Sequence, residues 1–158
     1  MSKYIRQSDK CSCGPISVMN ALNWKGTTYR EDLNWFRKLC KCKSYGTPVD
    51  DLDKAIKFFN LSKKYTERPS LKLIDSQLDK GNACLLIYYF KSRKNKEVGH
   101  AALCIGRTPQ HYKVINCTNT PYAVQHISKY SMRYYMRYII NDKEAKKKYK
   151  SRVYFIER

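Results

Sequence analysis

The chain contains no apolar run long enough to cross a membrane as a helix. Its longest, residues 84–90, falls far short of the ~20 residues that such a span needs. Residues 1–6 also lack the apolar centre of a secretory signal. A soluble chain is therefore expected, intracellular (cytoplasmic) or packaged in a virion; the abundance of Lys, Tyr, Ile and Asn fits an AT-rich genome such as that of a large DNA virus. Internal repeats and Pro-, Gly- or Ser-rich linkers are missing as well. The 158 residues are enough for one domain with a real core and too few for two, so a single domain over 1–158 is expected. Acidic residues are scarce, 13 against 32 Lys and Arg, which leaves a net charge of +19. Zinc-finger, RNA-recognition and helix-turn-helix signatures are absent, so sequence-specific nucleic-acid recognition is not expected. Non-specific, salt-sensitive association with nucleic acid or another polyanion is.

Cysteine is present in an odd number, seven, without a secretory signal. The set reads as thiols rather than as a disulfide framework. Two Cys-x-Cys pairs occur, Cys11/Cys13 and Cys40/Cys42. Structural zinc sites place two to four residues within a pair, and the lysines around Cys40 and Cys42 would repel a dication. No metal and no cofactor are expected. Cys84, Cys104 and Cys117 fall on apolar strand-like segments and are expected in the core.

The periodicity is helical first and extended afterwards. Residues 14–24 place Ile16, Val18, Met19 and Leu22 on one helical stripe, with Pro15 at the start and Gly26 at the stop. Thr28 to Glu31 resembles a capping box for a second helix carrying Leu33, Phe36 and Leu39. A third helix is predicted over 49–60, and Ser70 caps a fourth with Leu71, Ile74 and Leu78 inward. Residues 61–65 suggest a short strand. Residues 83–90, 99–105 and 112–117 read as successive antiparallel strands, 127–138 as a helix, 142–150 as a solvated lysine-rich helix or loop, and 152–156 as a closing strand. An α+β domain follows, its amino-terminal helical half packed on a carboxy-terminal antiparallel sheet.

The chemistry lies in four residues. Gln7 precedes Cys13-Gly14 by six positions, Cys13 opens the first helix, and His100 begins a strand sixteen residues before Asn116. A thiol at a helix start meets unpaired N–H groups and the positive end of the helix dipole, which favour the thiolate. His100 is the candidate proton carrier, Asn116 the candidate holder of its ring, and Gln7 a candidate donor to an oxyanion.

This order and spacing resemble the papain-like bacteriocin-processing peptidases, which cut double-glycine leaders. The resemblance covers roughly residues 4–120 and includes Gly46-Thr47-Pro48 ahead of an apolar helix. It implies a papain-like fold, a protein or peptide substrate, and a cysteine peptidase acting on peptide or isopeptide bonds after small residues such as glycine. Two departures stand out. Asn116 occupies the position where that family usually has Asp, and Ser12 precedes the nucleophile where Asp is usual. Three alternatives accompany this expectation: Cys11 as nucleophile, an acyltransferase passing the thioester to an amine, and a basic polyanion- or nucleic-acid-binding protein on an inactive peptidase-like scaffold. Cys11 lacks the following glycine and is expected to be a resolving or exposed thiol. His111 and His126 do not begin a strand followed by an Asn on its neighbour.

Overall fold

In the computed structural model, which describes residues 3–117 and 121–158, a helix apolar on nearly every side organises the amino-terminal half. This is α1 (Cys13–Lys25), ten of whose thirteen residues are buried. A helix of that kind is stable only when enclosed. Pro15 sits in the first turn, where no N–H is needed, and Gly26 stops the helix in the left-handed conformation at φ 76°. The segment before α1 is laced to it: Asn20 Oδ1 accepts from the N–H of Ile5 at 2.7 Å, and Asn20 Nδ2 donates to the Ile5 carbonyl at 3.0 Å.

Helices α2 (Leu33–Leu39) and α3 (Val49–Phe58) pack against α1. Phe36, fully buried, joins them: its ring meets Tyr29 at 5.2 Å, Trp35 at 5.1 Å and Phe59 at 5.5 Å. The expected capping box at Thr28 does not open α2. Asp32 caps it by accepting from the N–H of Trp35 at 2.9 Å, because an Asp directly before the first helical residue reaches that N–H while Thr28 lies a turn too early.

The second half is a six-stranded antiparallel sheet in the order β1-β6-β2-β3-β4-β5. Its strands are β1 (Tyr65–Glu67), β2 (Ala83–Lys91), β3 (Glu97–Arg107), β4 (His111–Ile115), β5 (Val124–Ser128) and β6 (Arg152–Ile156). Alternation along the strands makes two cores. Leu85, Ile87, Ala101, Leu103, Tyr154 and Ile156 face α1. Cys84, Leu86, Tyr88, Ala102, Cys104 and Val153 face the other way, onto Ile74 and Leu78 of α4 (Leu71–Asp79) and Met132 and Met136 of α5 (Lys129–Arg137). Helices therefore cover both faces, a layer more than the periodicity suggests. A short helix, α6 (Lys143–Lys148), precedes β6.

The α+β expectation holds, with local differences. The helix predicted over 127–138 is preceded by a strand: Val124 to Ser128 pairs with β4, and Ser128 then caps α5 by accepting from Ser131 N–H at 3.1 Å. β1 begins at Tyr65, where the first predicted strand was to end, because pairing with Tyr154, Val153 and Arg152 sets its position.

Removing the Phe36 ring leaves a cavity among α1, α2 and α3. Phe36→Ala is expected to lower stability by about 3–5 kcal/mol, read from urea unfolding, whereas Phe58→Ala, on a 65% exposed side chain, is expected to cost far less.

Candidate active site

Cys13 is the first residue of α1, and an Asx-type turn delivers it there. Asp9 Oδ1 accepts from the N–H groups of Cys11 (2.9 Å) and Ser12 (2.7 Å), and Asp9 Oδ2 accepts from the Ser12 hydroxyl at 2.6 Å. Burial works against this carboxylate, but those hydrogen bonds hold it below its ordinary range. The Asp-x-x-Ser spacing was the signal for it. Behind Cys13, Gly14 lies against the 46–48 turn: a Cβ there would stand 2.9 Å from Thr47 Oγ1. The glycine after the cysteine is thus required by close approach.

His100 lies in β3 opposite Tyr88 of β2, whose ring meets it edge-on at 5.6 Å. Its Nε2 is 2.6 Å from the main-chain carbonyl oxygen of Asn116. A carbonyl only accepts, so Nε2 carries the proton and Nδ1 is left as the basic nitrogen. Asn116 sits just past β4 with φ 57°, a left-handed conformation that Asn tolerates better than most residues. Its N–H donates to the Ala123 carbonyl at 2.8 Å. The Asn116 side chain turns to Gln7: Oδ1 accepts from the Gln7 N–H at 2.9 Å, and Nδ2 donates to Gln7 Oε1 at 3.3 Å. The imidazole is therefore in contact with the backbone of Asn116, and the amide of Asn116 with Gln7. Main-chain contacts of this kind leave no mark in residue type.

Cys13 and His100 line one cavity of about 670 Å³, together with Gly14, Thr47, Ala101 and Arg152. The backbone N–H groups of Ala101, the residue after His100, and of Gly14 lie close enough to the Cys13 sulfur to favour its thiolate. The cavity runs between the start of α1, the 45–50 segment and the sheet face carrying Ile87, Gly99 and Ala101, and residues of the 140–149 segment close it. Gln7 and Asn116 are buried beside it, 9% and 1% exposed.

No protein-family model matches the sequence, and no curated protein matches it. Solved structures do match. The peptidase domain of Streptococcus ComA, a bi-functional ABC transporter involved in a quorum-sensing pathway, superposes with a TM-score of 0.66 at 14% identity, covering 98% of this chain and 97% of that one. A double-glycine-motif protease from an AMS/PCAT transporter, solved in complex with the leader peptide, gives 0.63 at 15% identity over 98% and 91% of the two chains. A chain from Bacillus anthracis described as a C39-like peptidase gives 0.66 at 10% identity over 98% and 94%. The chain has the C39 peptidase fold.

Within this C39 fold the electrostatics depart from the simple helix-start expectation. Burial pushes the Cys13 thiol up, and the N–H groups of Ala101, Gly14 and Cys13 recover only part of that, so it stays above its ordinary value. Burial also lowers His100, against the pull of the Asn116 carbonyl. Burial thus disfavours the thiolate and the imidazolium alike, and works against a preformed ion pair. Desolvation outweighs the nearby backbone N–H groups.

Other sequence candidates lie elsewhere on the C39 fold. Cys11 is not the exposed thiol expected; it is 8% exposed, and its sulfur accepts from the Arg37 guanidinium at 3.5 Å. Cys42 donates its S–H to the Cys11 carbonyl at 3.2 Å. Among the described residues no group of three or more His, Cys, Asp or Glu side chains is arranged to hold a metal ion. Likewise, among the described residues, no helix is long and apolar enough to cross a membrane. The tyrosine-rich 130–138 stretch packs on the far sheet face, where Tyr135 stacks on Tyr88 at 4.5 Å.

A neutral pair has a recognisable pH signature. Alkylation of Cys13 by iodoacetamide, followed by peptide mass spectrometry between about pH 5 and pH 10, is expected to accelerate continuously with pH. A rate plateau extending into acid, lost in His100→Ala, would instead reveal a preformed thiolate–imidazolium pair.

Proposed function

We propose that the chain is a cysteine peptidase that hydrolyses peptide or isopeptide bonds after small residues such as glycine, with Cys13, His100, Asn116 and Gln7 as its working residues. The supporting observation is that the cysteine at the start of α1 and the histidine of β3 open on one cavity, with Nδ1 left basic by the Asn116 carbonyl. The likeness to a double-glycine-motif protease in complex with its leader peptide supports a peptide substrate and a glycine-accepting cleft.

The steps follow from the neutral pair. As a peptide carbonyl approaches, Nδ1 of His100 takes the thiol proton while the sulfur forms its bond to the carbonyl carbon. The carbonyl π electrons move onto oxygen. That oxyanion is met by the Cys13 N–H and by the Gln7 side-chain amide, which Asn116 orients. Collapse of the intermediate breaks the C–N bond, and His100 returns its proton to the leaving amine. Water, deprotonated by the same nitrogen, then attacks the thioester and releases the acid and the free thiol. The Nε2–H bond to Asn116 keeps the ring in one tautomer throughout.

Cleavage of a peptide library centred on glycine pairs tests this. Cys13→Ala is expected to remove all turnover and His100→Ala nearly all, while Gln7→Ala slows it by about 100-fold, the scale of one oxyanion donor. Equal turnover by wild type and Cys13→Ala would refute the assignment. Asn116→Gly retains the carbonyl and the positive φ but loses the amide. Its kcat is expected to match that of Gln7→Ala, and the double variant to be no slower than either, since both remove one interaction. Additive losses would show that the Asn116 amide acts independently of Gln7.

A further inference from the structure

Buried polar atoms without partners are uncommon in folded chains, because water has been given up with no replacement. Among the described residues three side-chain atoms are in that state: Ser17 Oγ, Thr47 Oγ1 and Arg152 Nε. Thr47 and Arg152 both line the cavity that Cys13 and His100 open on. Thr47 touches Gly14, next to the nucleophile, where an extended peptide would bring main-chain N–H and carbonyl groups.

Arg152 is the more unusual of the two. It opens β6 and is 7% exposed. It stands opposite Ile87 in β2, and Ile87 stands opposite Ala101 in β3. The three side chains therefore form a row on the α1 face of the sheet. Two strand spacings put the Arg152 main chain about 10 Å from that of Ala101, whose N–H reaches the Cys13 sulfur. The guanidinium lies over the Tyr65 ring, 3.9 Å from its centroid. The ring occupies one face of the guanidinium, and the Nε–H has no partner in the protein.

Within the protein the cation interacts with the Tyr154 hydroxyl and with Asp53, while its Nε–H has no partner. No ion pair to Arg152 is present among the described residues. Asp53, whose carboxyl Arg152 helps to hold below its ordinary range, is bound by Lys57 at 2.7 Å and by the Tyr154 hydroxyl at 2.6 Å. Glu97, also on the cavity wall, accepts from the Asn141 N–H at 2.8 Å and from the Tyr138 hydroxyl at 3.2 Å. Lys148 adds a second positive group to the same wall. A buried guanidinium in a cleft, with a free Nε–H and, among the described residues, no carboxylate in ion-pair contact, is a donor that a carboxylate fits.

We propose that Arg152 forms a carboxylate subsite of the cleft, taking an acidic side chain or the free carboxyl end of a peptide within a few residues of the bond that Cys13 attacks. This rests on the assignment of Cys13 as nucleophile for its place along the substrate, though not for the binding itself. Thr47, beside Gly14 on the cavity wall, takes a main-chain group of the same peptide. The net charge of +19 attracts acidic peptides everywhere along their length and cannot produce preference at one position.

The test uses decapeptides with a central Gly-Gly pair, carrying Glu or Gln at each other position in turn, with either a free or an amidated carboxyl end. Cleavage is measured with wild type, and binding by fluorescence anisotropy with Cys13→Ala. One position, or the free end alone, is expected to favour the carboxylate by about tenfold, the worth of one charge-assisted contact. Arg152→Met and Arg152→Gln, checked for native circular dichroism, should flatten that preference while leaving the other positions unchanged. A preference spread evenly over all positions, none at all, or one that survives in a folded Arg152 variant would overturn the subsite. If neither variant folds, the positional profile of the wild-type and Cys13→Ala proteins decides alone. Loss of cleavage with the positional binding preference intact would refute the peptidase assignment and leave the subsite standing.

Discussion

Asn116 adopts a left-handed backbone conformation, and three otherwise unconnected parts of the site meet on it. Its N–H closes the turn towards β5 on the Ala123 carbonyl, its carbonyl holds the His100 ring, and its amide grips Gln7 from 109 residues away. The left-handed φ turns these groups in three directions just where β4 ends. Most side chains would be strained there, whereas Asn pays less. Both polar residues are buried, so breaking any of these contacts would strand a polar group away from water. The imidazole tautomer and the Gln7 amide thus share one support.

The surroundings of the thiol follow from how tightly α1 is enclosed. α1 is enclosed on nearly all sides, and its first turn is pushed against β3, so that the Cys13 sulfur meets the Ala101 N–H. The same enclosure strips water from the sulfur and from the imidazole. Each is then biased towards its neutral form, the thiol by the cost of a buried anion and the imidazole by the cost of a buried cation. For the proposed reaction this means that proton transfer would be coupled to bond formation, with the developing oxyanion and its donors favouring charge separation. Arg152 differs: its charge is permanent, and in place of a counter-ion it has an aromatic face beneath it and an open cleft beside it.

Much of the fold was legible because burial leaves a period. The apolar run after Cys13, the stripes in α3 and α4, and the strand alternation through β2 and β3 all carry it. β5 escaped because Val124 to Ser128 is only partly apolar and owes its extended form to pairing with β4. Asp32 was passed over as a cap because Thr28 and Glu31 offered a familiar spacing one turn earlier. The second helical layer was not legible either, since a helix pattern shows that one face is buried but not against which side of the sheet.

In the candidate site, residue types alone determined the parts: a cysteine beginning a helix, a histidine in a strand, an Asn just beyond the next strand, and a glutamine ahead of the cysteine. Local chemistry suffices for that, because helix starts, strand periods and turn residues are written in short stretches of chain. Tertiary structure alone decided which atoms do the holding: a main-chain carbonyl for the ring, the Asn116 amide for Gln7, and burial for the thiol. It also decided that an arginine near the carboxy terminus faces the same cleft. Those outcomes depend on strand register and on which groups lose water together, and neither is encoded in the identity of any single residue.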